Sequence, residues 1–359
     1  MNISYKLLDT SKRGSLPSGD LPFGALRTDH MFVADYHDGE WHDPRIVPYG
    51  PFEILPGAMC LHYGQTLFEG IKAFPHPDGE IYLFRGDENI KRLNHSARIM
   101  LMPEVPAELQ MEGMMRLLDI ERNWCPKEHE SSMYVRPFMF ATQDSLGVKA
   151  SASYTYCVML SPSGPYYKGG FSKALRLLIT KQYHRAVSGG TGSSKCGGNY
   201  GASLRAQAYA ATKGCSQVLY LDAANKYIEE VGTMNHYHVM KDGTFIIPEF
   251  NDSILRSVTS LSVLELGQAG IIKARTEHIA LDDFLAGLKS GDIIEAGGFG
   301  TAAVVSPVGT YLLEDGTEIT VGDGGIGKHS RDLYTYYSGI QTGRQAAPQG
   351  WLLKVPRYV

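Results

Sequence analysis

Hydrophobic and polar positions along the chain predict many short strands separated by a few helices. Short apolar runs rich in β-branched and aromatic residues, bounded by turn residues, indicate strands. They occur at 31–36, 81–84, 132–136, 154–160, 175–180, 217–221, 236–240, 244–247, 271–276, 293–294 and 303–305. Asp-Gly pairs at 38–39, 78–79 and 242–243 predict tight turns between neighbouring strands.

Apolar residues three or four positions apart predict the helices. Asp87 is the expected N-cap of a helix whose apolar stripe leaves Arg92 and His95 to one side. The stripe consists of Ile90, Leu93, Ala97 and Met100. Further helices are predicted at 107–123, 202–213, 253–266 and 329–343.

The mixture of strands and helices predicts an α/β protein with two domains, because 359 residues exceed one compact core. The clearest break in composition is the Pro- and Gly-rich stretch 161–170. We therefore expect a smaller N-terminal domain at 1–168 and a larger C-terminal domain at 169–359.

Composition and charge argue against several classes of function. A net charge of −4 provides no electrostatic basis for binding nucleic acid or an anionic membrane. No apolar run approaches the length of a bilayer span, and the N-terminus lacks a signal pattern, so a cytoplasmic location is expected. The five cysteines form no C-x-x-C pair, so neither a disulfide scaffold nor a metal site is expected.

A glycine-rich segment at 187–201 contains a single lysine, Lys195. Glycine allows a shaped loop with close approach to a ligand. Ser194 and Cys196 do not fit the phosphate-loop pattern, in which glycine precedes and serine or threonine follows the lysine. Two interpretations remain from the residues alone: a solvated surface lysine, and a Schiff-base lysine that condenses with an aldehyde cofactor.

Five segments of the chain, in the same order, resemble branched-chain amino-acid aminotransferases. They are Tyr63–Gly70, Tyr134–Pro137, Lys195–Gly201, Glu230–Asn235 and Gly300–Ala303. The resemblance implies fold type IV, with pyridoxal 5′-phosphate (PLP) bound at the interface of the two domains of a homodimer. It also implies reversible transamination of L-leucine, L-isoleucine and L-valine with 2-oxoglutarate by a ping-pong mechanism.

The resemblance also implies roles for individual residues toward PLP. Lys195 would bind the aldehyde and move the proton at the substrate Cα, and Glu230 would hold the proton on the pyridine nitrogen. Glu229, its neighbour, would point to the opposite face of a strand. The remaining implied cofactor contacts are Tyr200 at the phenolic oxygen and, at the phosphate, Arg92, Val258, Thr259 and Thr301. The usual Leu-Pro-Gly before the phosphate amides is Leu-Arg-Ser at 255–257, which changes the allowed turn.

The implied substrate site has a polar end and an apolar wall. The substrate-binding residues are Phe23, Tyr63, Phe68, Tyr134, Arg136, Leu146, Val148, Tyr166, Thr233 and Ala302. Of these, Tyr63, Leu146 and Val148 would come from the second subunit. An aromatic wall favours branched aliphatic side chains over charged ones.

Two alternatives stay open from the sequence. The first shares the fold: a D-amino-acid aminotransferase or an aminodeoxychorismate lyase. The second is a PLP-binding module without catalysis, against which Lys195 and Glu230 both argue because together they provide a proton-transfer site.

Overall fold

The structure is a computed structural model that describes residues 2–128, 130–164, 171 and 173–358. The chain divides into two compact units. Unit 1 is Met1–Tyr166 with Ser194–Gly197 and Gly339–Val359, and unit 2 is Tyr167–Ser193 with Gly198–Ser338. Lys195 therefore belongs to unit 1. The predicted boundary between residues 168 and 169 lies outside the described residues and stays a prediction.

Unit 1 is built on one large sheet. Its strands are β1 (Ser4–Tyr5), β2 (His30–His37), β3 (Glu40–Pro48), β4 (Thr66–Phe68), β5 (Ile71–Pro75), β6 (Ile81–Phe84), β7 (Ser132–Ala141), β8 (Tyr154–Ser163) and β18 (Leu352–Lys354). They run in the order β1-β3-β2-β8-β7-β5-β6-β18, and β4 pairs with β7. The helices of this unit are α1 (Met59–Tyr63), α2 (Gly86–Ile99) and α3 (Ala107–Ile120). The apolar faces of α2 and α3 share one buried core with side chains of the sheet.

The hairpin turns were predicted correctly. Gly39 and Gly79 both have positive φ, 85° and 79°, a conformation that glycine adopts without strain. The predicted start of α2 was wrong: the helix begins at Gly86, and Arg85 occupies the N-cap position with φ 50° and no side-chain cap. Asp87 thus lies inside the first turn, where a carboxylate still favours the helix dipole.

Unit 2 contains a second sheet that closes on itself. Its strands are β9 (Leu175–Ile179), β10 (Gln217–Leu221), β11 (Ile228–Val231), β12 (Met234–Met240), β13 (Phe245–Pro248), β14 (Ala274–Glu277), β15 (Ile293–Gly300), β16 (Val304–Leu312) and β17 (Glu318–Thr320). The order is β11-β10-β9-β16-β15-β12-β13-β14, and β11 also pairs with β12. That extra pairing closes a ring around a core of aliphatic side chains.

The helices of the second half are α4 (Gly197–Thr212), α5 (Val258–Gln268), α6 (Leu281–Ser290) and α7 (Lys328–Gln341). The prediction placed the start of α5 at Ser253, five residues too early. Residues 253–257 instead form an irregular segment whose backbone and side-chain groups bond to β11 and β12. Of the helices in the described part of the chain, none has the length and hydropathy needed to cross a bilayer.

Candidate active site

The backbone of Lys195 is fixed by α2 and by the end of β4. The Lys195 N–H donates to Ser96 Oγ at 2.8 Å, and its carbonyl accepts from the Phe68 N–H at 3.0 Å. Ser96 is completely buried, one turn after Arg92 on α2. A Cβ on Gly197 would lie 2.5 Å from Thr66 Oγ1, so glycine is required where the chain leaves the lysine. The lysine loop is thus held by a side chain and a backbone group that lie far from it in sequence.

The amine of Lys195 lies beside an aromatic ring. Its Nζ is 5.0 Å from the centroid of the Phe68 ring, and the Arg136 guanidinium carbon is 4.7 Å from the same centroid. Lys195 itself is half-buried. A ring that contacts two cations stabilises both through its quadrupole and keeps the amine partly desolvated. The interpretation of Lys195 as a solvated surface lysine does not fit this environment.

Tyr134 and Arg136 form the polar end of the same cluster. Arg136 donates to Tyr134 Oη at 2.9 Å, and the Phe23 ring packs edge-on against Tyr134 with centroids 4.8 Å apart. A Cβ on Gly70 would lie 2.2 Å from Tyr134 Oη, so only glycine fits there. The structure therefore brings Phe23, Phe68, Tyr134, Arg136 and Lys195 together, as the resemblance implied.

Arg92 forms a buried ion pair that the sequence analysis did not anticipate. Its Nε and one terminal nitrogen each donate to a different oxygen of Glu69 at 2.7 Å. Asn89 donates to the same carboxylate at 2.7 Å. Burial alone would raise the pKa of Glu69, but the charge and hydrogen bonds of Arg92, together with the charge of Lys195, hold it below its usual value.

Lys72 is a second residue that the pattern did not single out. It is 8% exposed, on β5, and pairs in register with Tyr134 on β7. Burial lowers its pKa to about 8, and the charge of Glu130 opposes that shift. The sequence did contain a signal for this residue, namely one lysine within an otherwise apolar strand. Lysine is seldom buried in proteins, so its position in such a strand indicates a specific role.

The residues assigned to a second subunit lie on one exposed loop and the helix beside it. The Tyr63 hydroxyl donates to the Leu146 carbonyl of the same chain. Leu146 and Val148 are 72% and 82% exposed, which is unusual for large aliphatic side chains. Tyr166 lies outside the described residues.

Glu230 is buried on β11 of unit 2 and faces two donors. Its Oε1 accepts from the Leu255 N–H at 2.7 Å and lies 3.1 Å from a terminal nitrogen of Arg185. The same Arg185 nitrogen reaches the carbonyls of Gly192 and Ser253 at 2.8 and 2.5 Å. A buried cation and an N–H directed at one carboxylate oxygen favour the ionised form of that carboxylate.

The N-terminus of α5 shows how the Leu-Arg-Ser replacement is accommodated. Ser257 adopts φ −69° and ψ 133°, ordinary extended values that need no glycine, and its Oγ accepts from the Ser260 N–H. Asn235 accepts from the Ser257 N–H at 3.2 Å and donates to the Leu255 carbonyl at 2.9 Å. Val258 and Thr259, both buried, therefore begin a capped helix, where backbone N–H groups suit an anion.

The remaining predicted residues lie at turns and at a helix start. Thr233 is exposed in the turn between β11 and β12, and Tyr200 is half-buried near the start of α4. Thr301 and Ala302 lie in the turn from β15 to β16. That turn ends at Val304, a buried β-branched residue with φ 64°, so local strain accompanies this part of unit 2.

Comparison with known proteins places these features in a class. The sequence model of the class IV amino-transferases matches residues 66–308, which include Phe68, Arg92, Lys195, Glu230 and Thr301. Branched-chain-amino-acid transaminase 1 of Bacillus subtilis is 46% identical over 337 residues, covering 93% of this chain and 94% of that protein.

Solved structures agree with the sequence match. The branched-chain amino acid aminotransferase of Escherichia coli has a TM-score of 0.74 at 25% identity, covering 91% of this chain and 99% of that one. A second branched-chain amino acid aminotransferase, solved with pyridoxamine 5′-phosphate, has a TM-score of 0.73 at 25% identity and covers 90% and 98% of the two chains. These matches confirm the predicted α/β fold of type IV.

The chain belongs to the branched-chain-amino-acid transaminases within the class IV aminotransferases. It is an aminotransferase, and the cofactor of this family is PLP.

Proposed function

We propose that this chain transfers amino groups reversibly between L-leucine, L-isoleucine or L-valine and 2-oxoglutarate, giving branched 2-oxo acids and L-glutamate. The observation that carries the proposal is the Lys195 amine beside Phe68, adjoining Tyr134 and Arg136 in unit 1. The identity to the Bacillus subtilis transaminase spans 93% of the chain, which supports this function over the D-amino-acid aminotransferase and lyase alternatives.

The side chains present suit PLP in kind. The cofactor has an aldehyde, a basic ring nitrogen, a phenolic oxygen and a phosphate, which call for an amine, a carboxylate, a hydroxyl donor and anion-binding groups. Lys195, Glu230 and Tyr200 provide the first three. Arg92, the N–H groups of Val258 and Thr259, and the Thr301 hydroxyl provide the phosphate contacts.

When bound, PLP supplies a carbonyl that captures amino groups and a ring that withdraws electrons from the substrate Cα. Lys195 Nζ is the amine that would hold the cofactor through its aldehyde, and once a substrate amine replaced it, the freed amine would move the proton of the substrate Cα. Glu230 would hold the proton of the ring nitrogen, and Arg185, 3.1 Å from Glu230 Oε1, would keep that carboxylate charged. The reverse sequence with 2-oxoglutarate completes turnover.

Substrate binding divides between polar and apolar groups. The α-carboxylate is bound by Thr233 and the Ala302 N–H, and Tyr134 and Arg136 orient that end of the substrate. Phe23 and Phe68 form the wall for a branched side chain. The resemblance assigns Tyr166, which lies outside the described residues, to the same wall. The protein acts as a cytoplasmic homodimer. In this dimer the pocket of one copy is completed by Tyr63, Leu146 and Val148 of the other. Light scattering measures the mass of the dimer.

Replacing the lysine tests the proposal. Lys195→Ala should lose the borohydride-reducible visible chromophore and reduce transamination by at least about 10⁴-fold, because attachment and proton transfer depend on one amine. Lys181→Ala, at an exposed lysine, is the matched control and should behave as the wild type.

The measurement is consumption of 2-oxoglutarate with L-leucine as the amino donor, compared with its consumption with D-alanine as the donor. Retained turnover in Lys195→Ala would end the proposal. A preference for D-alanine would instead favour the D-amino-acid aminotransferase.

A further inference from the structure

Two adjacent glutamates of β11, Glu229 and Glu230, are both buried, at 3% and 2% exposure. They were predicted to point to opposite faces of the strand, and that prediction did not require both faces to be buried. Glu230 has the guanidinium of Arg185 and the Leu255 N–H. Glu229 contacts a hydroxyl, Ser253 Oγ. The two carboxylates therefore face different environments although they are neighbours in sequence.

The number of hydrogen atoms available for the contacts of Ser253 Oγ indicates the charge of Glu229. Ser253 Oγ is within hydrogen-bond distance of Glu229 Oε1 and 2.8 Å from Asn251 Oδ1. Asn251 Oδ1 already accepts from the N–H groups of Ser253 and Ile254 at 2.9 and 3.1 Å, so this atom is the oxygen of the amide. A hydroxyl has one hydrogen. An ionised Glu229 would leave one of the two oxygen–oxygen contacts without a proton.

A protonated Glu229 satisfies every contact in this group. Glu229 then donates to Ser253 Oγ, and Ser253 Oγ donates to Asn251 Oδ1. The two hydrogen bonds therefore run in the same direction, and each contact has one hydrogen. Glu229 Oε2 has no hydrogen-bond partner among the described residues. A buried oxygen without a partner costs less on a neutral acid than on an anion. Burial accordingly raises the pKa of Glu229, although Ser253 and Arg185 oppose the shift.

Segment 251–255 connects this chain of hydrogen bonds to the candidate active site. Its Ser253 carbonyl accepts from Arg185, and its Leu255 N–H donates to Glu230. The Asp252 side chain accepts from the Gly189 N–H at 2.7 Å, on the loop that leads to Lys195. A change at Ser253 therefore reaches both Glu230 and the glycine-rich loop.

We propose that Glu229 is a neutral, protonated positioning residue that orients segment 251–255 and thereby holds Glu230 and Arg185 in place. The role of Glu230 toward the cofactor ring rests on the proposed function, but the charge state of Glu229 does not. Ionisation of Glu229 would reverse the hydrogen bond at Ser253 and place a second negative charge beside Glu230.

Other charged and titratable groups face this site. Arg185 and His184 favour an anionic Glu229, and Asp222 disfavours it. Tyr220 on β10 pairs with Glu230 on β11. Burial raises the pKa of Tyr220 to about 12, so it stays neutral at physiological pH.

The test compares Glu229→Gln with the wild-type holoenzyme by thermal unfolding between pH 5 and pH 9. A raised pKa in the folded state means that the stabilisation is complete below the unfolded value of 4.5 and is lost as pH rises through the folded value. Glutamine mimics the protonated acid and does not titrate. We expect similar Tm values at pH 5, and a variant more stable by about 2–4 °C at pH 8.

Glu53→Gln, at an exposed glutamate, is the control and should show no such divergence. The alkaline limit of the kcat profile should also move to higher pH in Glu229→Gln, which a purely structural glutamate would not cause. A Glu229→Gln protein that becomes less stable than the wild type as pH rises would show that Glu229 is ionised and overturn the proposal. The Tm comparison needs no turnover, so it remains decisive if the proposed function fails.

Discussion

A buried arginine–glutamate pair in unit 1, Arg92 with Glu69, differs in geometry from a buried pair in unit 2, Arg185 with Glu230. In unit 1, Arg92 grips both oxygens of Glu69 at 2.7 Å, and Asn89 and the Gly70 N–H add further hydrogen bonds. In unit 2, the Leu255 N–H donates to Glu230 Oε1 at 2.7 Å, and a terminal nitrogen of Arg185 lies 3.1 Å from the same oxygen. Arg92 thus contacts both oxygens of its glutamate, whereas Arg185 and the Leu255 N–H meet at one oxygen of theirs.

Under the proposed roles, the same chemical pair serves opposite purposes in the two units. Around Glu69 the carboxylate is the anchor, and the arginine is the group that the resemblance assigns to a phosphate. Around Glu230 the arginine is the anchor, and the carboxylate is the group assigned to the cofactor ring. The arginine contact is bidentate in the first pair and reaches one oxygen in the second, although the residue types are the same.

The largest expected effect concerns Glu230. Glu230→Gln should lower the rate of the half-reaction with L-leucine by about 100-fold or more, because a neutral amide cannot hold a positive charge on the ring nitrogen. Rapid-mixing absorbance at saturating PLP measures that rate. A loss smaller than about threefold would remove Glu230 from the reaction and make the two pairs equivalent anchors.

The second prediction concerns the contribution of Glu69 to the stability of the protein. Glu69→Gln leaves the Arg92 charge buried without its counter-ion and should cost about 3 kcal/mol, or roughly 6–12 °C in Tm. Circular dichroism during heating provides the measurement. Glu88→Gln, at the partly exposed partner of Lys91, is the matched control and should change stability by less than about 1 kcal/mol. An unchanged Tm with lost turnover would place Glu69 in the reaction as well.

The smallest effect concerns the cap beside the Glu230 pair. Ser257→Ala removes the acceptor for the Ser260 N–H and should lower the free energy of unfolding by about 0.5–1 kcal/mol. Ser257→Gly should cost only a few tenths, since glycine is tolerated at this position. Denaturant unfolding resolves the difference. Equal losses in the two variants would mean that the serine side chain does not cap α5.

Most strands and turns of the fold were predictable because their signals are local. The strand at 217–221 has the predicted bounds, and Gly243 with φ 82° turns the predicted hairpin. The strand at 293–300 was predicted only as far as 294, because Gly297, Gly298 and Gly300 carry no apolar signal. The structure explains those glycines: Tyr237 packs against Gly297, and Met234 packs against the other two.

The residues of the candidate site could be predicted from the sequence where they belong to a short motif. Their burial could not be predicted where it depends on a partner that is distant in the chain. Lys195, Phe68, Tyr134 and Arg136 were named from short segments, and the structure groups them. The burial of Arg92 was not foreseen, because its partner lies 23 residues away and appears in no helical stripe. Their proposed functional roles remain predictions that the variants above test.

The sequence by itself determined the candidate lysine, the turns that glycine makes possible and the order of the family's motifs, since each depends on a few consecutive residues. Only the tertiary structure decided which carboxylate meets which arginine, and therefore which charges persist when buried. Arg185 and Glu230 are not neighbours in the chain, and either residue in isolation would remain in water. Their charges are stable inside the protein only because folding brings the two together.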